Sequence, residues 1–189
     1  MIQVFGEFKK ESVKSREFLM LGFSPGSAPL QQRWRNNGLS ADFLADYLTT
    51  FFPTDDYEPG TREAKLKGAV SYIANELLEN AMKFNYDTCD YQITLKFKLY
   101  SDHLVLRVTN HIQKKIMSRF QRFIHELLNS EPRELYIRQI KRSKEDESIS
   151  GLGLLTMIND YDAKLGWQFE TVEPNPEVIV VTTMAQLPI

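Results

Sequence analysis

Cysteine is all but missing from this chain, with Cys89 alone among 189 residues. One thiol cannot close an internal disulfide, so the fold must hold by packing and hydrogen bonding, as suits a reducing compartment. A reactive role for Cys89 has nothing in its polar surroundings to recommend it. Histidine is scarce too, at three, and no His/Cys cluster has the spacing of a zinc site. His103 and His111 flank a predicted strand and read as surface or core-edge residues. No apolar run approaches the ~20 residues that span a bilayer. The opening stretch Met1–Phe8 lacks the charged-then-apolar order of a signal peptide, and the expected location is cytoplasmic. Neither sign of charge dominates. Lys and Arg number 23 against 25 Asp and Glu, a net −2 that leaves no global field to hold a nucleic-acid backbone. Nucleic acid and membrane are therefore not expected partners.

What is present is an ordinary globular composition, 42% hydrophobic and 25% charged, at a length that favours one sizeable core. Phe18–Phe23 reads as a buried strand closed by the turn formers Ser24-Pro-Gly-Ser27. A helix is expected from Ser40, a plausible N-cap, with Phe43, Leu44, Tyr47, Leu48 and Phe51 at helical spacing, ended by Pro53. A second helix spans about Thr61 to Asn85. Tyr91–Leu99 alternates strictly and predicts a strand with one buried face. Ser101-Asp102 is a two-residue turn, and His103–Asn110 is the return strand. Residues 112–150 change character. They are amphipathic and helical, broken at Pro132, and end in the polar run Ser143–Ser148. They carry nine Lys/Arg against six Asp/Glu and read as a partly mobile insertion between two strands of one sheet. A short helix follows Gly151, then strands at 165–171 and 178–183 joined through Pro174-Asn-Pro176. Trp34 and Trp167 are expected core anchors. The order predicts an α+β two-layer sandwich, a mixed and mostly antiparallel sheet with helices on one face. Residues 1–60 form an N-terminal extension packed on or beside a core of 61–189.

The second helix carries the most chemistry. At 100° per residue, Glu76, Asn80 and Lys83 fall within about 60° of one another, so an acid, an amide and a cation share one edge. Leu66, Val70, Ile73, Leu77, Ala81 and Phe84 form an apolar stripe beside them that would dock the helix. Glu79 and Lys83 also make an ordinary i,i+4 pair, and most such clusters are solvated helix edges. A mid-helix asparagine is a mediocre helix former, however, and wants a reason. A carboxylate, an amide oxygen and an ammonium at this spacing suit a metal-bound polyphosphate.

Two motifs occur in order, Asn75-Glu-Leu-Leu-Glu-Asn-Ala-Met-Lys83 on the helix and Ser150-Gly-Leu-Gly-Leu154 ahead of another helix. Together they resemble the N box and the second glycine box of the Bergerat-fold ATP-binding superfamily, the GHKL group of gyrase, Hsp90, histidine kinases and MutL. The resemblance covers roughly residues 61–185. It implies ATP and Mg²⁺ as cofactors. Asn80 corresponds to the amide that ligates Mg²⁺, and Glu76 to the carboxylate that orients or deprotonates the attacking hydroxyl. Lys83 corresponds to a phosphate contact. Gly151 and Gly153 would let backbone N–H groups approach the phosphates, and residues 112–150 would be the lid over bound nucleotide. The chain departs from the family after the second strand. There the family has Asp-x-Gly-x-Gly with an adenine-binding aspartate, and this chain has Thr109-Asn-His-Ile-Gln113. Asn110 is the stand-in for the aspartate; equally, it can simply end a strand.

The first 60 residues contain no histidine, so the phospho-accepting hairpin of a sensor histidine kinase is not expected. By architecture the chain looks most like the stand-alone anti-sigma-factor serine kinases of bacterial partner switching, and within them the small SiaB-like kinases. The implied function is an ATP- and Mg²⁺-dependent serine/threonine kinase acting on a small antagonist protein. The alternative is a Bergerat-fold module without catalysis that binds and sequesters a protein partner. A homodimer is left open.

Overall fold

The computed structural model describes residues 1–11, 14–24, 30–52, 61–86, 91–143, 151–172 and 177–189, and the backbone alone of residues 30–34 and 143. The expected turns at 24–27 and 174–176, Pro53, Cys89, the side chain of Trp34 and the polar run after residue 143 fall wholly or largely outside what is described. The chain is α+β. Strands β1 (Ile2–Gly6), β2 (Glu17–Phe23), β3 (Ile93–Leu99), β4 (His103–Gln113), β5 (Lys164–Thr171) and β6 (Val178–Pro188) form one sheet. Their order is β1-β5-β6-β4-β3-β2, and every pairing is antiparallel.

Alternation decides which face the helices cover. In β3 the residues Ile93, Leu95, Phe97 and Leu99 are buried, whereas Thr94, Lys96 and Lys98 point to the other face. Trp167 of β5 is fully buried, the core anchor its composition suggests. Helix α1 (Leu30–Thr49) packs on α2 (Arg62–Phe84), and Tyr47 of α1 meets Phe97 edge-on with ring centroids 6.4 Å apart. Helix α3 (Lys114–Asn129) covers the other half of the sheet. Its Phe120 meets Phe169 of β5, and its His125 meets Phe5 of β1. Helices α4 (Pro132–Ser143) and α5 (Leu152–Tyr161) pack against each other, and α5 also touches α2.

Local chemistry explains the element ends. The Thr61 hydroxyl caps α2 by accepting from the Ala64 N–H at 3.3 Å. Pro132 occupies the first position of α4, where its missing N–H costs nothing, and the Glu131 carboxylate before it accepts from the Glu134 N–H at 2.8 Å. Ser101-Asp102 forms the expected tight turn, with the Tyr100 N–H donating to the His103 carbonyl at 2.9 Å.

Three sequence expectations are corrected. Helix α1 begins at Leu30, not Ser40; the Ser40 hydroxyl donates backwards to the Asn36 carbonyl at 2.7 Å and so sits inside the helix. The strand at 18–23 is an edge strand rather than a buried one, with Phe18 49% and Met20 53% exposed. Residues 112 and 113 belong to β4, which pairs with β6 as far as Gln113↔Val178, so the helical segment begins only at Lys114.

Strands β1 and β2 lie on opposite edges, so their connection must cross the sheet. Five inter-strand spacings amount to about 24 Å, within the ~33 Å reach of ten extended residues. Residues 7–11 run over the face that carries no helix among the described residues. The Phe8 backbone lies where a Cβ on Gly166 of β5 would be. The Lys9 carbonyl accepts from the Arg107 guanidinium of β4 at 2.7 Å, and Glu11 meets Lys96 and Lys98 of β3 at 3.2 Å each. This strap explains why Val105 and Arg107, on the otherwise open face, are 4% and 5% exposed.

Candidate functional site

The apolar stripe of α2 seats the helix, with Val70, Ile73, Leu77 and Ala81 buried. Its last turn is tied to the end of β4. The Asn85 side-chain oxygen accepts from the His111 N–H at 3.2 Å, and the Tyr86 N–H donates to the His111 carbonyl at 2.7 Å. This fixes the end of α2 on the sheet.

Glu76 lies against the first turn of α5. A methyl group on Gly153 would overlap the Glu76 carboxylate, whose Cδ is 2.7 Å from the ideal Cβ position. Only glycine lets the acid approach the helix so closely. Gly151 is the N-cap of α5 and adopts the left-handed conformation, φ +49°. Its own Cβ position is filled by the Phe123 ring of α3, with Cε2 at 2.7 Å. Gly151 is thus required by its left-handed backbone as well as by packing, whereas Gly153 makes room for the end of the flexible Glu76 side chain. Ser150 of the glycine motif lies outside the described residues.

The contacts continue along α2 and α5. One turn before Glu76, Tyr72 faces Thr156 of α5, and its ring lies tilted on Tyr161 at 5.3 Å. Burial raises the Tyr72 pKa above the usual phenol value, although Thr156 pulls the other way. Burial also raises the Glu76 carboxyl above the usual range, and the neighbouring Glu79 charge pushes the same way. An acid held in this way is a proton acceptor of higher affinity than a free carboxylate.

The other expected residues are dispersed. Asn80 is half-buried, one turn beyond Glu76. Lys83 is exposed in the last turn of α2, with its Nζ 5.4 Å from the centroid of the Phe84 ring. The i,i+4 pair of Glu79 with Lys83 does not form; Glu79 instead accepts from the Asn75 amide at 2.8 Å. Asn110 does not end a strand, because β4 continues to Gln113. It is 6% exposed and donates to the Ala81 carbonyl of α2 at 3.4 Å. That bond uses its NH₂ and leaves its amide oxygen uncommitted there. Among the described residues no cluster of three or more His, Cys, Asp or Glu could hold a metal by itself.

No protein-family model matches the chain, and no curated protein matches it. Among solved structures, a chain in the crystal structure of the SiaB–SiaC complex from Pseudomonas aeruginosa aligns over 89% of both chains, with a TM-score of 0.62. The two share a fold. At 17% identity the likeness to the SiaB–SiaC chain concerns that fold, and the chemistry must be argued from the side chains. No helix among the described residues is long and apolar enough to cross a membrane.

Two contacts escaped sequence reasoning. Tyr72 precedes Glu76 by four residues, so helical periodicity already put it on the same edge. Phe123 carried no such signal, because its contact with Gly151 depends on how α3 docks.

Proposed function

We propose that the junction of α2 with the first turn of α5 binds ATP with Mg²⁺, and that the protein is a serine/threonine kinase acting on a small partner protein in a bacterial partner-switching pathway. One observation carries the reading: the carboxylate of the helix edge and the glycine turn, far apart in sequence, touch at Glu76 and Gly153.

The residues present fit the group. Mg²⁺ keeps several waters and needs only one or two protein oxygens beside phosphates, so a lone Asn80 amide suffices and a carboxylate cluster is not required. A buried carboxylate beside a polyphosphate would repel it, and a cation between them removes that conflict. Bound ATP would supply the transferable phosphoryl group. Glu76 would accept the proton of the acceptor hydroxyl, which its raised pKa favours. The α5 N-terminus would favour phosphate charge. The Asn110 amide oxygen would meet the adenine amino group. Lys83, at the exposed helix end, would have to swing inward to reach phosphate. The occurrence of the structural neighbour in a two-protein complex supports a protein partner for this chain.

Calorimetric titration with ATP and ADP, with and without Mg²⁺, tests the site. Micromolar, metal-dependent binding that collapses in Asn80→Ala is expected. Transfer of labelled phosphate from ATP to small acidic partner proteins tests the activity. The second reading, a module that sequesters a partner without catalysis, is favoured by the Phe123 ring packed on Gly151 and by the absence of glycine from residues 109–113 at the end of β4. Undetectable nucleotide binding would select it.

A further inference from the structure

We propose that β2 is a strand-addition site for an extended segment of a partner protein in which acidic and apolar residues alternate. The strand is last in the sheet order and pairs only with β3, so its other edge has no strand partner among the described residues. Natural edge strands are blunted by lysine, proline, bulges or very short length. The seven residues Glu-Phe-Leu-Met-Leu-Gly-Phe of β2 carry none of these, and its register with β3 is unbroken from Glu17↔Leu99 to Phe23↔Ile93.

The side chains specify the occupant. On the helix side, Leu19, Leu21 and Phe23 are half-buried and leave apolar surface for a neighbouring strand to cover. On the open side, Phe18 and Met20 are exposed, and beside them in register stand Lys98 and Lys96. Lys98 already reaches over β2, its Nζ 5.7 Å from the centroid of the Phe18 ring. An added strand would lie about 10 Å from β3, two strand spacings, a gap that a lysine and a glutamate side chain together bridge. Positions opposite Phe18 and Met20 therefore suit carboxylates, and the positions between them suit aliphatic residues. The chain itself demonstrates the preference, since Lys96, Lys98 and Arg107 converge on one carboxylate, Glu11. Among the described residues, three cations face one anion there, which leaves this corner of the sheet net positive. The opposite edge strand, β1, is shorter, and its neighbour β5 presents Gly166, Gln168 and Glu170 to the open face, so it offers no such charge.

The inference is independent of the nucleotide pocket and is tested without nucleotide. The probes are two peptides as long as the strand, one alternating valine with glutamate and one alternating valine with lysine. Amide hydrogen exchange on the full chain reads β2 directly. The acidic peptide should slow exchange in β2 and bind at least about tenfold more tightly than the basic one at low salt, with the difference shrinking as salt rises. Methylating alternate backbone nitrogens of the acidic peptide should abolish binding. In Lys96→Glu/Lys98→Glu, with an unchanged far-ultraviolet circular dichroism spectrum, the preference should reverse. If that pair does not fold, Phe18→Lys/Met20→Lys, which blunts the edge and leaves β3 intact, should block addition. Equal affinity for both peptides, unprotected β2 amides at saturating peptide, or protection that tracks protein concentration without peptide (a second copy pairing through β2) would each overturn the proposal.

Discussion

Replacing Gly151 by alanine tests whether the turn into α5 is built as described. Two separable penalties apply. An L residue held at φ +49° costs roughly 1–2 kcal/mol relative to glycine. The added methyl would also occupy the space of the Phe123 ring, with Cε2 at 2.7 Å from it, and overpacking of this kind costs about 1–3 kcal/mol. The ring is braced by its own helix and has less freedom to retreat than the end of a flexible chain. Together the two penalties amount to about 2–5 kcal/mol. For a domain of this length that lowers Tm by roughly 4–20 °C. Urea unfolding of wild type, Gly151→Ala, Phe123→Ala and the double variant closes a cycle. In the Phe123→Ala background the steric part disappears and only the left-handed cost of about 1–2 kcal/mol remains. A Gly151→Ala change within about 0.5 kcal/mol of wild type, or an equal cost in both backgrounds, would refute the reasoning.

Gly153→Ala should behave differently, because the displaced group is the flexible Glu76 side chain and alanine is favoured over glycine in a helix by about 1 kcal/mol. Stability should change little or rise, while phosphoryl transfer falls because the carboxylate has moved; unchanged transfer would count against the role given to Glu76. Glu76 has a raised pKa, so the folded state binds the extra proton and stability falls as pH rises from the unfolded pKa of about 4.3 through the folded value. Glu76→Gln should therefore raise Tm at neutral pH and lose that advantage below about pH 4, as thermal melts across the range would record. Burial pushes the Glu11 pKa up, but hydrogen bonds and charge from Lys98 and Lys96 outweigh it and hold it below the ordinary value. Its contribution is present above the unfolded pKa and lost as pH falls through the folded one, so Glu11→Gln should destabilise at neutral pH and match wild type in acid. Arg107→Ala should cost about 1.5–3 kcal/mol in urea unfolding, since it removes the charged donor to the Lys9 carbonyl from under the strap.

Much of the fold was legible because its signals are local. The strict alternation of 91–99 foretold β3 with its buried face. The 3.6-residue stripe foretold α2, whose observed ends, Arg62 and Phe84, lie a residue inside the expected ones. The glycine motif foretold the start of α5 at Leu152. Where local signals competed, the reading failed. Ser40 looked like a cap, yet a serine can equally bond back to the preceding turn, and the apolar run at 18–23 gave no hint that it would lie at an edge. Strand β1 escaped notice because five residues are too few to establish a period.

The sequence alone determined which residues share a helix edge: Tyr72, Glu76, Asn80 and Lys83 are placed by covalent spacing and backbone geometry, whatever they pack against. Tertiary structure decided what each of them meets. Strand order set β1 and β2 on opposite edges and forced the strap over Arg107, and the docking of α3 brought Phe123 onto Gly151. The docking of α5 set Gly153 under the Glu76 carboxylate, and burial, more than the neighbouring Glu79 charge, raised that acid's pKa. Periodicity is a property of neighbours along the chain, whereas burial and proximity depend on elements far apart in sequence, and no local pattern encodes their arrangement.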